Sequence, residues 1–186
     1  MSRHHRVLAT AVLAALSTCF VPSVSAADTE TKAEKVNVFD KGQMTVPESF
    51  ERTEPQSRII EHEFKVGEGD STARLTMMGA GGGVEANIKR WQGQFSGGDA
   101  ADQKTEKIEA GKWTIHLVDA SGSYAERMGG GPFFGGKTVQ REDYAMAGAI
   151  LAEPEGRLYF AKMIGPADVV KKNRDAFVKM VKSIAE

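Results

Sequence analysis

The chain has 186 residues, of which 24 are basic and 25 acidic, and a single cysteine, Cys19. That near-neutral balance argues against a nucleic-acid partner, which calls for a basic excess. One cysteine excludes an intrachain disulfide framework.

The opening "MSRHHRVLATAVLAALSTCFVPSVSA" sets Arg3 and Arg6 before an apolar run over 7–21, then Pro22 and the small-residue triplet Val24-Ser25-Ala26. This pattern reads as a secretory signal peptide over 1–26, cleaved after Ala26. The run falls short of the ~20 apolar residues of a membrane-spanning helix, so no transmembrane span is expected. Cleavage removes two arginines and no acids, leaving 22 basic and 25 acidic residues and a net charge of −3. It also removes Cys19, and with it any thiol nucleophile or thiolate metal site. The expected location is periplasmic or secreted. "LSTC" over 16–19 loosely resembles a lipobox, and the alternative reading makes Cys19 the acylated anchor of an envelope lipoprotein. About 160 residues remain, enough for one domain burying roughly 70 % of its unfolded-chain surface.

Residues 27–42, "ADTETKAEKVNVFDKG", are polar and charged, and read as a disordered tether ahead of a single α+β domain over 43–186. "QMTV" over 43–46 is strand-like, whereas "PESFERTEP" holds Phe50 between two prolines that break regular structure. "RIIEHEFKV" places Ile60, His62, Phe64 and Val66 on one side and Ile59, Glu61, Glu63 and Lys65 on the other, a half-buried strand. "STARLTMM" repeats the alternation, and "VGEGDS" between them supplies a hairpin turn. Val84, Ile88, Trp91 and Phe95 then recur at helical spacing, predicting an amphipathic helix that lies on the sheet. After Gly97-Gly98 a short strand over 104–109 turns at Gly111 into "KWTIHLVDASGSY", with Trp113, Ile115 and Leu117 facing one way and Thr114, His116 and Val118 the other. "ERMGGGPFFGGKTVQRED" reads as a long glycine-rich loop. "YAMAGAIL" and "GRLYFAKMI" are strands joined by the turn "AEPEG". The closing "GPADVVKKNRDAFVKMVKSIAE" carries Pro166 near its first turn, Asp168 at the positive end of the dipole, and Val170, Phe177, Val181 and Ile184 on one face, a second amphipathic helix. Hairpin-length links between strands make the sheet mainly antiparallel, covered by two helices.

This order of elements resembles the PsbP-like α/β sandwich family, which includes the photosystem II extrinsic subunit and the nuclear Ran-release factor. The likeness is carried by "VPESFERTEP" over 46–55, by the helix "VEANIKRW", and by "LYFAKMIGPADVVKKNRDAFVKMVKSI" over 158–184, where a strand drops through a short turn into a helix with a mid-course phenylalanine. Phe50 stands where many members have tryptophan. The chain is also similar to small exported bacterial proteins sharing "GGPF" and "GGKTV" segments, here over 130–133 and 135–139. The resemblance implies a fold and an accessory or protein-binding role, and supplies no catalytic residues.

The glycines in Gly79-Ala80-Gly81-Gly82-Gly83 meet neither phosphate-loop pattern: a dinucleotide fingerprint needs glycine where Val84 stands, and a P-loop needs Gly-Lys-Ser/Thr. They read as a strand-to-helix turn, with Glu85 near the helix N-terminus. "GGGPFFGG" sets Phe133 beside Phe134, and adjacent side chains of an extended segment diverge. Either one ring plugs the end of the sandwich, or the loop with Tyr124, Arg127, Lys137 and the neighbouring Gly81–Gly82 turn forms a contact surface for a protein or envelope component. The two histidines of the exported chain, His62 and His116, are metal ligands only if they meet across the sheet. No metal or cofactor is expected. With no cysteine after export and no nucleophile elbow around Ser121, the favoured function is an exported non-enzymatic accessory or binding protein. The alternative is a small hydrolase using His62 or His116 with a carboxylate. Lys171, Lys172, Arg174, Lys179 and Lys182 fall away from the apolar stripe of the last helix and read as a solvated face.

Overall fold

The computed structural model describes residues 33–69, 71–128 and 137–185. In chain order these form β1 (Glu34–Val38), β2 (Gly42–Val46), β3 (Glu51–Thr53), β4 (His62–Glu68), β5 (Ser71–Ala80), α1 (Val84–Gln92), β6 (Phe95–Ser96), β7 (Lys104–Ala110), β8 (Trp113–Met128), β9 (Lys137–Ala152), β10 (Leu158–Pro166) and α2 (Ala167–Lys182). The main sheet runs β3-β4-β5-β10-β9-β8-β6, with β7 also on the outer edge of β8; β1 and β2 pair separately. Every pairing is antiparallel. The expected class, an α+β fold with a mainly antiparallel sheet and two amphipathic helices, is therefore what the chain forms.

The two faces of the sheet are covered differently. On one, Phe64, Leu75, Met77, Trp113, Ile115, Leu151, Tyr159 and Met163 are closed over by Val170, Phe177, Met180 and Val181 of α2 and by Val36, Val38, Met44 and Val46 of the β1–β2 hairpin. On the other, Val118, Ala120, Met146, Ile150, Leu158 and Phe160 lie beneath Ile88 and Trp91 of α1, with Phe95 and Tyr124 continuing the cluster. Residues 145–151 of β9 are buried without a break. A strand covered on both faces reads as a continuous apolar run, which is why "YAMAGAIL" shows no alternation.

Four expectations need correction. First, residues 34–42 are not a tether. Val36 and Val38 are buried, and the β1–β2 turn is held by Phe39, which sits edge-on to Tyr159 at 5.4 Å under the Arg157 guanidinium at 4.3 Å, and by a Lys41–Glu155 ion pair at 2.8 Å. Second, the strand expected over 58–66 begins only at His62, Ile59 is 71 % exposed, and Glu51–Thr53 between the prolines forms a short edge strand. Third, α1 stops at Gln92 on a Gly93 cap, so Phe95 reaches its cluster from β6 rather than from the helix. Fourth, most of the expected loop over 126–143 is strand: β8 and β9 pair from Thr114↔Ala152 out to Met128↔Lys137.

One close approach fixes how α1 sits. An ideal Cβ added at Gly148 would lie 2.6 Å from Cζ3 and 2.9 Å from Cε3 of Trp91. The indole rests on β9 where glycine leaves room for it. Gly148→Ala is therefore expected to cost about 2 kcal/mol through overpacking, read as a lower urea midpoint at unchanged slope; a wild-type midpoint would show that Trp91 is not seated there.

Candidate functional site

A helix is roughly 10 Å across and strands lie roughly 4.8 Å apart, so one helix covers two or three strands. Helix α1 has nine residues and packs towards β8, β9 and β10, leaving the strip formed by β4, β5 and the near side of β10 without a helical cover. Register aligns one cross-strand row on this face as Glu63, Thr76, Lys162, Gly148 and Val118. The next row reads Lys65, Arg74, Ile164, Met146 and Ala120.

Two cavities of about 250 Å³ each open along the strip. The first is walled by Ala80, Gly81, Arg90, Trp91 and Phe160, and the second by Ile60, Arg74, Tyr124, Glu126, Tyr144 and Ile164. They meet at Thr76, Met78 and Lys162, which line both, so the strip is one groove with Lys162 at its middle. Trp91 and Phe160 pack edge to face at 4.9 Å, and the Tyr124 and Tyr144 rings stack at 6.2 Å.

The charges in the groove are unevenly matched. Arg74 donates to both oxygens of Glu63, at 2.6 and 2.9 Å, and the Gln56 N–H adds a third bond at 3.0 Å. Those bonds hold the buried Glu63 carboxyl below its ordinary pKa. Glu126 accepts from Arg141 at 2.8 Å. Arg90 is steadied by Asn87 Oδ1 at 2.7 Å, while the amide nitrogen of Asn87 donates to Gly81 O at 3.2 Å and Gly83 O at 2.9 Å. Among the described residues, neither Arg90 nor Lys162 has an acidic partner within salt-bridge distance. The Lys162 ammonium lies 5.8 Å from the centre of the Trp91 ring. Burial, followed by the repulsion of Arg90 and Arg74, pushes its pKa down to about 8.

Another cavity, of about 350 Å³ beside α2, makes a useful contrast. Its acids are satisfied: Asp102 accepts from Ser121 at 2.6 Å and pairs with Lys171 at 3.4 Å, and Asp119 takes both bonds of Arg174 at 2.9 and 2.6 Å. Lys171 and Arg174 of the expected solvated face are thus partly spent on structure.

Of the residues singled out from the sequence, Gly81 lies at one end of the groove and Tyr124 at the other. Gly82 takes φ +87° in the turn that Asn87 closes. Arg127 pairs in register with Thr138, and Lys137 with Met128, at the outer end of the β8–β9 hairpin. Phe133 and Phe134 lie outside the described residues. Gly81 follows Ala80, whose row holds Leu158 and Ala152, and β9 runs fifteen residues from Ala152 back to Lys137. At ~3.3 Å per residue that is about 50 Å of strand, so the Gly81–Gly82 turn does not neighbour the strand ends that flank the second glycine-rich segment.

The histidines do not meet. His62 is on β4, on the α2 side with Phe64, and its Nδ1 is 3.4 Å from Arg52. His116 is on β8, four strands further on and on the α1 side with Val118. Burial is the first cause lowering both pKa values. Among the described residues no group of three or more His, Cys, Asp and Glu is placed to hold a metal ion.

Lys162, Arg90 and Arg74 were not singled out from the sequence. The signal was a lysine in mid-course of "LYFAKMI", a segment otherwise apolar enough to be buried on both faces.

No family model matches the chain, and no curated protein matches it by sequence. Among solved structures it is similar to cyanobacterial PsbP (CyanoP) from Synechocystis sp. PCC 6803, with 10 % identity, a TM-score of 0.48, and 90 % of this chain and 96 % of that one covered. At that identity no residue role carries across.

Lys162 bears on stability in a definite direction. Its folded pKa of about 8 lies below the 10.5 of the free side chain, so the unfolded chain binds more protons between those values and stability rises with pH across that window. Below pH 8 the full penalty is present, up to about 3 kcal/mol. Lys162→Met should therefore raise stability at pH 7 by about 2 kcal/mol, with the gain shrinking as pH approaches 10.5, in thermal melts across pH 6–10; a less stable variant at pH 7 would refute the penalty.

Proposed function

We propose that this chain is an exported, non-enzymatic accessory or binding protein that takes its ligand in the groove beside α1. The observation that carries the reading is Lys162: a largely buried ammonium close to two guanidinium groups, facing a cavity and, among the described residues, without an acid within salt-bridge distance. A folded protein gains stability by replacing such a group with an apolar one, so its presence marks a site where stability is given up for contact with something else. The aromatic walls suit this, because most ligand seats are apolar with a few convergent polar groups.

Export rests on the opening segment, with its two arginines, apolar run and Val24-Ser25-Ala26 site. The periplasm or the medium is the proposed location, and among the described residues no helix is long and apolar enough to cross a membrane. Metabolic labelling with a fatty acid separates the two export readings: label on Cys19 makes the protein lipid-anchored, and a mature chain beginning at Ala27 makes it free.

The hydrolase reading has less support. His62 faces Arg52 rather than a carboxylate, and His116 takes no side-chain hydrogen bond among the described residues, so neither is placed as a general base oriented by an acid.

The reading is tested by titrating the isotope-labelled exported protein with a mixture of small soluble fragments. Shifts are expected at the Trp91 indole and the amides of Thr76, Met78 and Lys162. Shifts confined to the outer β8–β9 hairpin would move the site there. Ester hydrolysis lost in His62→Asn or His116→Asn would restore the enzyme.

A further inference from the structure

We propose that the groove is a site for a small organic carboxylate with a flat apolar body, its head group on Lys162 between Arg74 and Arg90 and its body against Trp91 and Phe160. This rests on the reading of the groove as a ligand seat and adds the chemistry of what sits there.

The charge census sets the sign. Glu63 and Glu126 are the acids of the groove, and each is already held by an arginine, Arg74 and Arg141. Among the described residues Lys162 and Arg90 remain uncompensated, so a cationic guest is repelled and a neutral one leaves the ammonium as poorly matched as before. An anion supplies the missing partner in a site where low dielectric strengthens the contact.

The shape of the site sets the rest. Thr76 stands directly across from Lys162 on β5 and offers a hydroxyl beside the head group. Trp91 and Phe160, already edge to face at 4.9 Å, give an aromatic wall on the α1 side, and Met78 lies on the floor where the two cavities join. Inorganic phosphate would satisfy the charge and leave this wall unused. The half of the groove walled by Trp91 and Phe160 holds about 250 Å³, so a body seated there beside the head group is the size of a single ring or a short chain. A single ring or short alkyl body carrying one carboxylate uses both features.

The site also has a built-in pH dependence. Facing Lys162 are Arg74 with Glu63 from the β4–β5 side, Arg90 from α1, and Tyr124, Tyr144 and Glu126 with Arg141 from β8 and β9. Glu63 is held below the ordinary carboxyl range, and burial raises the Tyr124 hydroxyl above its own. Lys162, at about 8, is the group of the groove that changes charge just above neutrality. A carboxylate binds the ammonium form, so affinity should be level from about pH 6 to pH 8, where the ligand is ionised and Lys162 charged, and fall about tenfold per unit above that.

The test is calorimetric and NMR titration of the full exported protein with phenylacetate, its neutral amide phenylacetamide, octanoate and inorganic phosphate. Phenylacetate is expected to bind at least tenfold more tightly than the amide or phosphate, moving the Trp91 indole and Lys162 ε-methylene signals. Lys162→Met should lose at least tenfold in phenylacetate affinity while melting higher, a combination that misfolding cannot produce. Arg90→Gln should lose less. Unchanged phenylacetate affinity in Lys162→Met, or an amide that binds as tightly, overturns the anion assignment. Amide binding in the groove with no response to any of the three anions rejects the carboxylate and leaves the ligand seat standing. Silence of the groove towards all four compounds rejects both. If octanoate is the tightest of the series, the body is an alkyl chain and the aromatic wall is not the selector.

Discussion

Helix α1 is nine residues long, and the sheet it lies on is built from eight strands. That mismatch governs the molecule. The α2 face has a longer helix and a whole β-hairpin to close it, and its core is correspondingly complete, with Trp113, Phe64, Phe177 and Tyr159 all fully buried. The α1 face has one short helix, seated with Trp91 over Gly148 of β9. What it leaves bare must be polar enough to stand beside water yet stay in register with apolar neighbours. The sequence meets this with an ion pair at the edge, Glu63 with Arg74, and with Thr76 and Lys162 further in.

The turn that begins the helix belongs to the same arrangement. Asn87 is buried, and its amide nitrogen ties down two carbonyls of the Gly81–Gly83 turn while its oxygen holds Arg90. The glycines therefore serve the chain's own backbone, with Gly82 at positive φ, and the cationic groups beside the turn are the Arg90 side chain that Asn87 holds and Lys162 of β10. One buried amide links a strand end, a helix start and a cation of the groove, so the wall near Trp91 is set by local hydrogen bonds as well as by packing.

Much of the fold was legible because two periodicities are strong in this chain. β4, β5 and the first half of β8 alternate, and α2 carries its stripe at Val170, Phe177 and Val181. The misses share a physical cause. β1 alternates Val36 and Val38 among polar residues, and those valines are buried in a core whose other members, α2 included, lie far along the chain. The outer part of β8–β9 is mostly polar and only partly buried, and its strands are held by backbone pairing and cross-strand polar bonds such as Arg141 to Glu126, so they carry no apolar pattern to read. Phe95 kept its helical spacing but not its helix, since Gly93 ends α1 and β6 brings the ring to the same cluster by another path. Of the groove, Gly81 and Tyr124 were read as contact residues for a different surface, and the charges between them were not seen. Which face of β10 has a helical cover is a tertiary fact, and no local window contains it.

Lys162 remains the residue for which the fold alone gives no reason. Its cross-strand neighbours are Thr76 and Gly148, and along its own strand the same-face positions are Phe160 and Ile164. The nearest acid in its row is Glu63, two strands and roughly 10 Å away in backbone spacing. That carboxylate is already bonded to Arg74 and to the Gln56 N–H. An acid at position 78 or 150 would have given the lysine a diagonal partner; those positions hold methionine and isoleucine. Among the described residues, then, the places adjacent to Lys162 supply apolar surface and no counter-charge, and it is on that arrangement that the proposed ligand seat rests.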